Sequence, residues 1–302
     1  MRVFVSVFIF VLAAAATAYA QERPKIVGVA HIAVKTNDLA AARLFYGHIL
    51  GFPEPFSLDK PDGSGLSLTY FKVNDHQYIE VFPDLKSDTE DRLSHIAFET
   101  TNIKQLRDYL AAKGVKVPDT VSTGRDGNIS MMLTDPDGHH VEFVEYRPGS
   151  LHSKAFGGFL PNTRVSTHII HVGVTVADRA AADHFYKDIL GFHEFWHGGM
   201  QDNRTDWVDM RVPDGTDWLE YMLNVHNPSP RTLGVMHHAA LGVLDIKAAN
   251  RLVTSRGYKA EEPKIGRDGK WQLNLYDPNG TRVELMEPHP VEKPCCAPML
   301  DK

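Results

Sequence analysis

Four short apolar runs recur along the chain, each with a histidine inside it: VAHIAV (Val29 to Val34), LSHIAF (Leu93 to Phe98), IIHVGV (Ile169 to Val174) and MHHAAL (Met236 to Leu241). Runs of this length and composition predict strands. After each run the hydrophobic period changes. Leu39, Ala42, Phe45, Tyr46 and Ile49 fall three and four apart, which predicts a helix with one buried face. Asp38, Asn102, Asp178 and Asp245 each stand seven residues after a histidine, where a short side chain can accept from the first free N–H groups of a helix. Gly51, Gly114, Gly191 and Gly257 close these helices, where a left-handed residue is needed. Short alternating strands follow. In the second and fourth segments the last two strands join through Asp135-Pro136-Asp137-Gly138 and Asp277-Pro278-Asn279-Gly280, both with tight-turn chemistry. Each quarter of the chain therefore reads β-α-β-β-β, and the fold class is α+β.

The quarters belong to two similar halves. AARLFYGHILGF (Ala41 to Phe52) returns as AADHFYKDILGF (Ala181 to Phe192), and GRDGNISMMLTDPDGHHVEF (Gly124 to Phe143) returns as GRDGKWQLNLYDPNGTRVEL (Gly266 to Leu285). A repeat of this size predicts two tandem domains, over 24–148 and 166–289. Residues 149–165 read as a polar linker and 290–302 as a C-terminal tail.

The first twenty residues change the expected location. Arg2 precedes an apolar run from Val3 to Ala16, and Ala18-Tyr19-Ala20 has the small-x-small form of a cleavage site. This reads as a signal peptide over residues 1–20, shorter than a membrane span, so the mature chain is expected to start near Gln21 as an exported, periplasmic or secreted protein. No membrane association is expected after cleavage. A formal charge of −6 without long charged runs argues against nucleic acid as a partner. A small-molecule substrate and a monomer or homodimer are the expected partners and state. Cys295 and Cys296 are the only cysteines; adjacent, they cannot staple the fold. They could form a vicinal disulfide, pair between chains or stay free. A metal site would therefore use histidine and carboxylate.

Such a set is present in each half. The last strand of each quarter carries a glutamate: Glu80, Glu142, Glu220 and Glu284. Forty-nine residues separate His31 from Glu80 and His171 from Glu220; 47 separate His95 from Glu142 and 46 separate His238 from Glu284. A lone charge in an apolar strand is costly. Two histidines and two glutamates on facing strands instead suit a hard-to-borderline cation. Two residues after each histidine, on the same strand face, stands a small residue: Ala33, Ala97, Gly173 or Ala240. That spacing leaves room for an ion and ligand, or relieves crowding in a tightly curved sheet.

These histidine strands, the FY..ILGF segments and the DPDG and DPNG turns before Val-Glu resemble the vicinal oxygen chelate superfamily. That group includes glyoxalase I, extradiol dioxygenases, methylmalonyl-CoA epimerase and fosfomycin-resistance proteins. The resemblance covers nearly all of the mature chain. It implies four βαβββ modules paired into two domains, each a curved incomplete β-barrel with helices outside. It also implies that a divalent metal ion (Fe, Ni, Zn or Mn) is held by His31, Glu80, His95 and Glu142 in the first half. In the second half the same positions are His171, Glu220, His238 and Glu284. Modules pairing between chains would mix these sets.

Extradiol dioxygenases of this superfamily use two histidines and one carboxylate on iron, whereas a two-His, two-Glu set resembles bacterial glyoxalase I. The latter implies proton-transfer chemistry, lyase or isomerase, on a small metal-chelating oxygenated substrate. Three residues would then hold the ion, and Glu142 or Glu284 would serve as base. Export argues against a glutathione-linked substrate. An extradiol dioxygenase using Fe(II) is the alternative, and a non-catalytic binding or resistance protein a third. All four tryptophans (Trp196, Trp207, Trp218 and Trp271) lie in the second half. Trp218 and Met222 flank Glu220 at two-residue spacing, and Arg282 precedes Glu284 by two. The three are expected to line a substrate pocket there, favouring the second half as the principal site. Arg125 and Arg267 read as solvated turn residues able to hold a carboxylate. His139, His140, His193, His197 and His237 fit no repeat and read as supporting or surface groups. No phosphate-binding glycine loop, nucleophile elbow or HExxH motif occurs.

Overall fold

The computed structural model describes residues 22–300. The expected signal peptide lies outside them. The first half forms one eight-stranded sheet from β1 (Ile26–Lys35), β2 (Phe56–Asp59), β3 (Leu66–Lys72), β4 (Tyr78–Phe82), β5 (Leu93–Thr100), β6 (Ser122–Thr123), β7 (Ile129–Thr134) and β8 (His140–Glu145). Its strand order is β2-β3-β4-β1-β5-β8-β7-β6. The second half repeats this order with β9 (Ile169–Val176), β10 (His193–Gly198), β11 (Trp207–Arg211), β12 (Trp218–Leu223), β13 (His238–Gly242), β14 (Lys264–Ile265), β15 (Trp271–Tyr276) and β16 (Arg282–Met286). Both sheets curve into half-barrels, as the α+β expectation required.

Each half is completed within the chain. The histidine strands β1 and β5 pair antiparallel, as do β9 and β13. Within a module the first and last strands pair parallel. Asp38, Asn102, Asp178 and Asp245 each accept a hydrogen bond from the backbone N–H three residues on. Gly51, Gly114, Gly191 and Gly257 all have positive φ. In the first and third modules the helix begins as Leu39–Ala42 or Arg179–Ala182 and widens into a π-helical turn, Arg43–Ile49 or Asp183–Ile189.

One apolar core runs through both halves, with Phe98 edge-on to Phe192 at 5.2 Å. Two reciprocal hydrogen bonds tie them further. Tyr46 donates to Asp277 Oδ2 at 3.0 Å, and Tyr186 donates to Asp135 Oδ2 at 2.9 Å. The Phe-Tyr motif of each half thus clamps the Asp-Pro turn of the other. Residues 149–165 are more ordered than a polar linker suggests. They contain the helix Leu151–Ala155, whose His152 is buried. Among the described residues no helix is long and apolar enough to cross a membrane.

Candidate metal centres

Strand register explains the small residues. Ala33 pairs with Glu80 on one side and His95 on the other; Ala97 pairs with His31 and Glu142. In the second half Gly173 sits between Glu220 and His238, and Ala240 between His171 and Glu284. Each small residue is flanked by two of the large polar side chains that converge on the sheet's concave face. At Gly173 the crowding is absolute, because a Cβ would stand 2.1 Å from His238 Cε1.

The first-half set converges tightly. His31 Nε2 lies 2.9 Å from His95 Nε2, and Glu142 Oε2 lies 3.1 and 3.3 Å from those two nitrogens. Glu80 is 3.6 Å from His31 and 3.8 Å from His95. His31, Glu80 and His95 offer ligand atoms all within 4.8 Å of one another, and so do His171, Glu220 and His238. In the second centre the two Nε2 atoms are 3.1 Å apart, and Glu284 is 3.7 and 3.6 Å from them. Imidazoles bind divalent ions at about 2.1 Å, so two at right angles on one ion stand about 3 Å apart. Both donor sets fit a divalent cation, with hard carboxylate and borderline imidazole ligands.

Burial and charge split the carboxylates. Burial, reinforced by Glu142 and Asp126, pushes the Glu80 carboxyl well above its ordinary range. Burial also acts to raise Glu142, but hydrogen bonds from His31 and His95 outweigh it and hold Glu142 ionised. In the second centre burial lowers His171 to about 3. Glu284 is held down to about 2, because Arg282 and the histidines outweigh its burial.

The cavities over the two centres differ. The first has a volume of about 230 Å³, lined with Tyr70, Phe82, Met132, Tyr146 and His152 besides the converging His and Glu groups. The second has about 90 Å³, with Trp196, Trp207, Asp209 and Asp268 on its wall. Arg282 faces this cavity, as its place two residues before Glu284 suggests. Its Nη2 lies 2.7 Å from His238 Nε2.

Two expected pocket residues lie elsewhere. Trp218 packs behind the centre, 4.9 Å from the His171 ring and 5.3 Å from Phe195, so it props the imidazole rather than facing the cavity. Met222 is buried opposite Trp207 in the β11–β12 pairing and does not line the cavity. Phe195, Trp196 and Met286 pack with Trp218 in one apolar cluster, which covers its indole. Arg125 and Arg267 stand on the cavity walls, tied to loops: Arg125 donates to Ser67 Oγ at 2.9 Å and Arg267 to Gly199 O at 3.0 Å. His139 and His237 meet at Thr175, 3.3 and 3.0 Å from its hydroxyl, and pair with Asp135 and Asp91 between the halves. His197 pairs with Glu194, and His140 and His193 are exposed. Cys295 and Cys296 are free thiols grouped with Asp202 at the surface.

The sequence reading missed His152, Asp126, Asp209 and Asp268. Asp126 and Asp268 occupy matching places in the repeated GRDG segments, a signal the adjacent arginines obscured. His152 has no counterpart in the repeat.

A family model described as the Glyoxalase/Bleomycin resistance protein/Dioxygenase superfamily matches residues 28–143 and again 168–285. The chain belongs to that superfamily. Within it, the chain is 27% identical over 172 residues to the iron-dependent extradiol dioxygenase of Rhodococcus jostii (strain RHA1), a match covering 54% of each protein. It thus spans about half the length of that relative. Among solved structures it resembles the 2,3-dioxygenase LapB from Pseudomonas sp. KL28, with a TM-score of 0.66 and 14% identity over 90% of this chain and 97% of the other. It also resembles homoprotocatechuate 2,3-dioxygenase from Brevibacterium fuscum complexed with 3,4-dihydroxyphenylacetate, with a TM-score of 0.64 and 17% identity over 88% and 82% of the chains. At these identities the two structures share the superfamily's fold with this chain.

Proposed function

We propose that the chain is an extradiol-type dioxygenase that opens the ring of a catechol at the first-half centre. The observation that carries this reading is the convergence of His31, Glu80 and His95 within 4.8 Å beneath the larger cavity. Two histidines and one carboxylate with open positions suit non-haem iron(II). The iron-dependent relative supports the choice of metal, and the diol bound by the Brevibacterium enzyme supports the substrate class. The smaller second cavity, with Arg282 against His238, makes that half the accessory centre.

Iron held there would supply Lewis acidity and a platform for adjacent oxygens and dioxygen. The protein's own groups do the rest. Glu142, with Oε2 3.1 and 3.3 Å from the two histidine nitrogens, is the carboxylate beside the triad placed to accept a proton from a catechol hydroxyl. Tyr70, Phe82 and Tyr146 give the ring an apolar enclosure that limits water.

Proton-transfer lyase or isomerase chemistry is the second reading. The fourth carboxylate in each centre, Glu142 or Glu284, favours it, since ring cleavage needs only three ligands. Assay of iron(II)-loaded protein with a panel of catechols separates the two. Oxygen consumption matched by a visible-absorbing ring-opened semialdehyde is expected. Solvent deuterium exchange into an α-hydroxy ketone without oxygen uptake would replace the first reading with the second. Export of a mature chain starting near Gln21 is part of the proposal, and N-terminal sequencing of protein recovered outside the cytosol tests it.

A further inference from the structure

The segment joining the halves delivers a side chain to the first cavity. Ser150 caps the helix Leu151–Ala155, accepting from Ser153 N at 3.1 Å, and Leu151 N donates to Asp126 O at 2.8 Å. Beneath the helix, the fully buried Lys72 donates to Ala155 O and Gly158 O at 2.5 and 2.9 Å. These bonds strap the segment to the first sheet.

They hold His152 inside, only 4% exposed and on the wall of the cavity that His31, Glu80, His95 and Glu142 also line. Tyr78, Phe56 and Tyr146 box its ring at centroid distances of 4.5, 4.9 and 5.0 Å. Its Nδ1 is fixed by Asn128 Nδ2 at 2.8 Å and Asp126 Oδ2 at 3.3 Å. Its Nε2 is buried with no hydrogen-bond partner. Leaving such a group unpaired is costly, and a ring oriented through one nitrogen with the other free is arranged for a ligand. The second half lacks the device, since Lys270 stands at the position of Asn128.

We propose that His152 Nε2 is the hydrogen-bond partner of the bound catechol, meeting an oxygen of its diol and setting its ionisation, with Asp126 as the positioning residue. This rests on the catechol reading of the first centre.

The test is anaerobic titration of iron(II)-loaded protein with 4-nitrocatechol, whose visible absorbance reports both binding and ionisation. For His152→Gln, the expected result is a melting temperature and iron content like the parent's, about tenfold weaker binding, and an altered absorbance of the bound probe. Oxygen-dependent turnover is expected to fall by about 10²-fold or more. Asp126→Asn keeps the ring and is expected to give an intermediate loss; it decides the matter if His152→Gln does not fold. Parent-like affinity and spectrum in whichever variant folds would overturn the proposal. A parent protein that binds nitrocatechol in a His152-dependent way without consuming oxygen would sink the dioxygenase reading and leave this one standing. Oxygen uptake unchanged in His152→Gln would do the reverse. A parent protein that does not bind the probe overturns both.

Discussion

Arg282 Nη2 lies 2.7 Å from His238 Nε2 and 2.9 Å from Nδ1 of the same ring. A guanidinium therefore stands against the nitrogen that would hold an ion in the second half, and it comes within 4.0 Å of Glu220. The first centre has His140 at the matching place, exposed to solvent. A fixed cation beside the donors disfavours a second one. The expected outcome is one tightly held iron per chain in the parent protein and two in Arg282→Leu, read by elemental analysis after dialysis. Two ions in the parent would show that the guanidinium yields to metal.

Loss of a ligand should affect the halves unequally. Replacing groups that merely support metal ligands lowers affinity or activity by about 10–100-fold, so loss of a ligand in the working centre should cost at least that. His31→Ala is expected to abolish iron retention in the first half and reduce ring cleavage by about 10²-fold or more. His171→Ala is expected to leave ring cleavage within a few-fold of the parent. Parallel assays of iron content and turnover check both, and the opposite ranking would move the working site to the second half.

The Tyr46–Asp277 and Tyr186–Asp135 hydrogen bonds bury a carboxylate oxygen against a phenol across the halves. Tyr46→Phe leaves Asp277 short of a donor while keeping the ring. It should destabilise the protein by about 1–3 kcal/mol. At about 2–4 °C per kcal/mol for a protein of this size, calorimetry should show a clear fall in melting temperature. Tyr186→Phe should do the same, whereas ring-cleavage kinetics at low temperature should hardly change.

Asp268 gives a pH dependence of definite sign. Burial pushes its carboxyl up to about 6 from an ordinary 3.8, although Lys270 opposes the shift. Between those values the folded chain binds more protons than the unfolded chain, so stability is full below 3.8 and falls as pH rises through 6. The slope is about 1.4 kcal/mol per pH unit, or roughly 3 kcal/mol in all. Asp268→Asn keeps an acceptor for Lys270 N and Gln272 Nε2. In metal-free protein it should raise stability at pH 7, and the gain should vanish below pH 4. Denaturant unfolding at the two pH values measures it; equal gains at both would show that the carboxyl stays ionised in the fold.

The elements and converging residues were legible because they repeat. Four caps, four closing glycines and four histidine-to-glutamate spacings each report the same local geometry, and register turns those spacings into two sets of neighbours. What the sequence left open is what tertiary contact decides. Trp218 shares a strand with Glu220, yet its indole lies against His171, so alternation alone misplaced it. The contrast between the cavities arises from Arg282 and the neighbouring tryptophans in one half, and from a roomier enclosure in the other. Tryptophan count alone pointed to the second half. His152 was invisible for a simpler reason: it follows β8 in a segment outside the repeat, and only Lys72, Asp126 and Asn128, distant in sequence, bring it inward.

Turnover of iron(II)-loaded protein with a catechol under ¹⁸O₂, followed by mass analysis of the product, tests the central claim most directly. A ring-opened product carrying both labelled atoms, formed by the parent and by His171→Ala but not by His31→Ala, is the outcome expected of an extradiol dioxygenase working in the first half. Intact catechol with no label incorporated, from protein shown to hold iron at that centre, would contradict it.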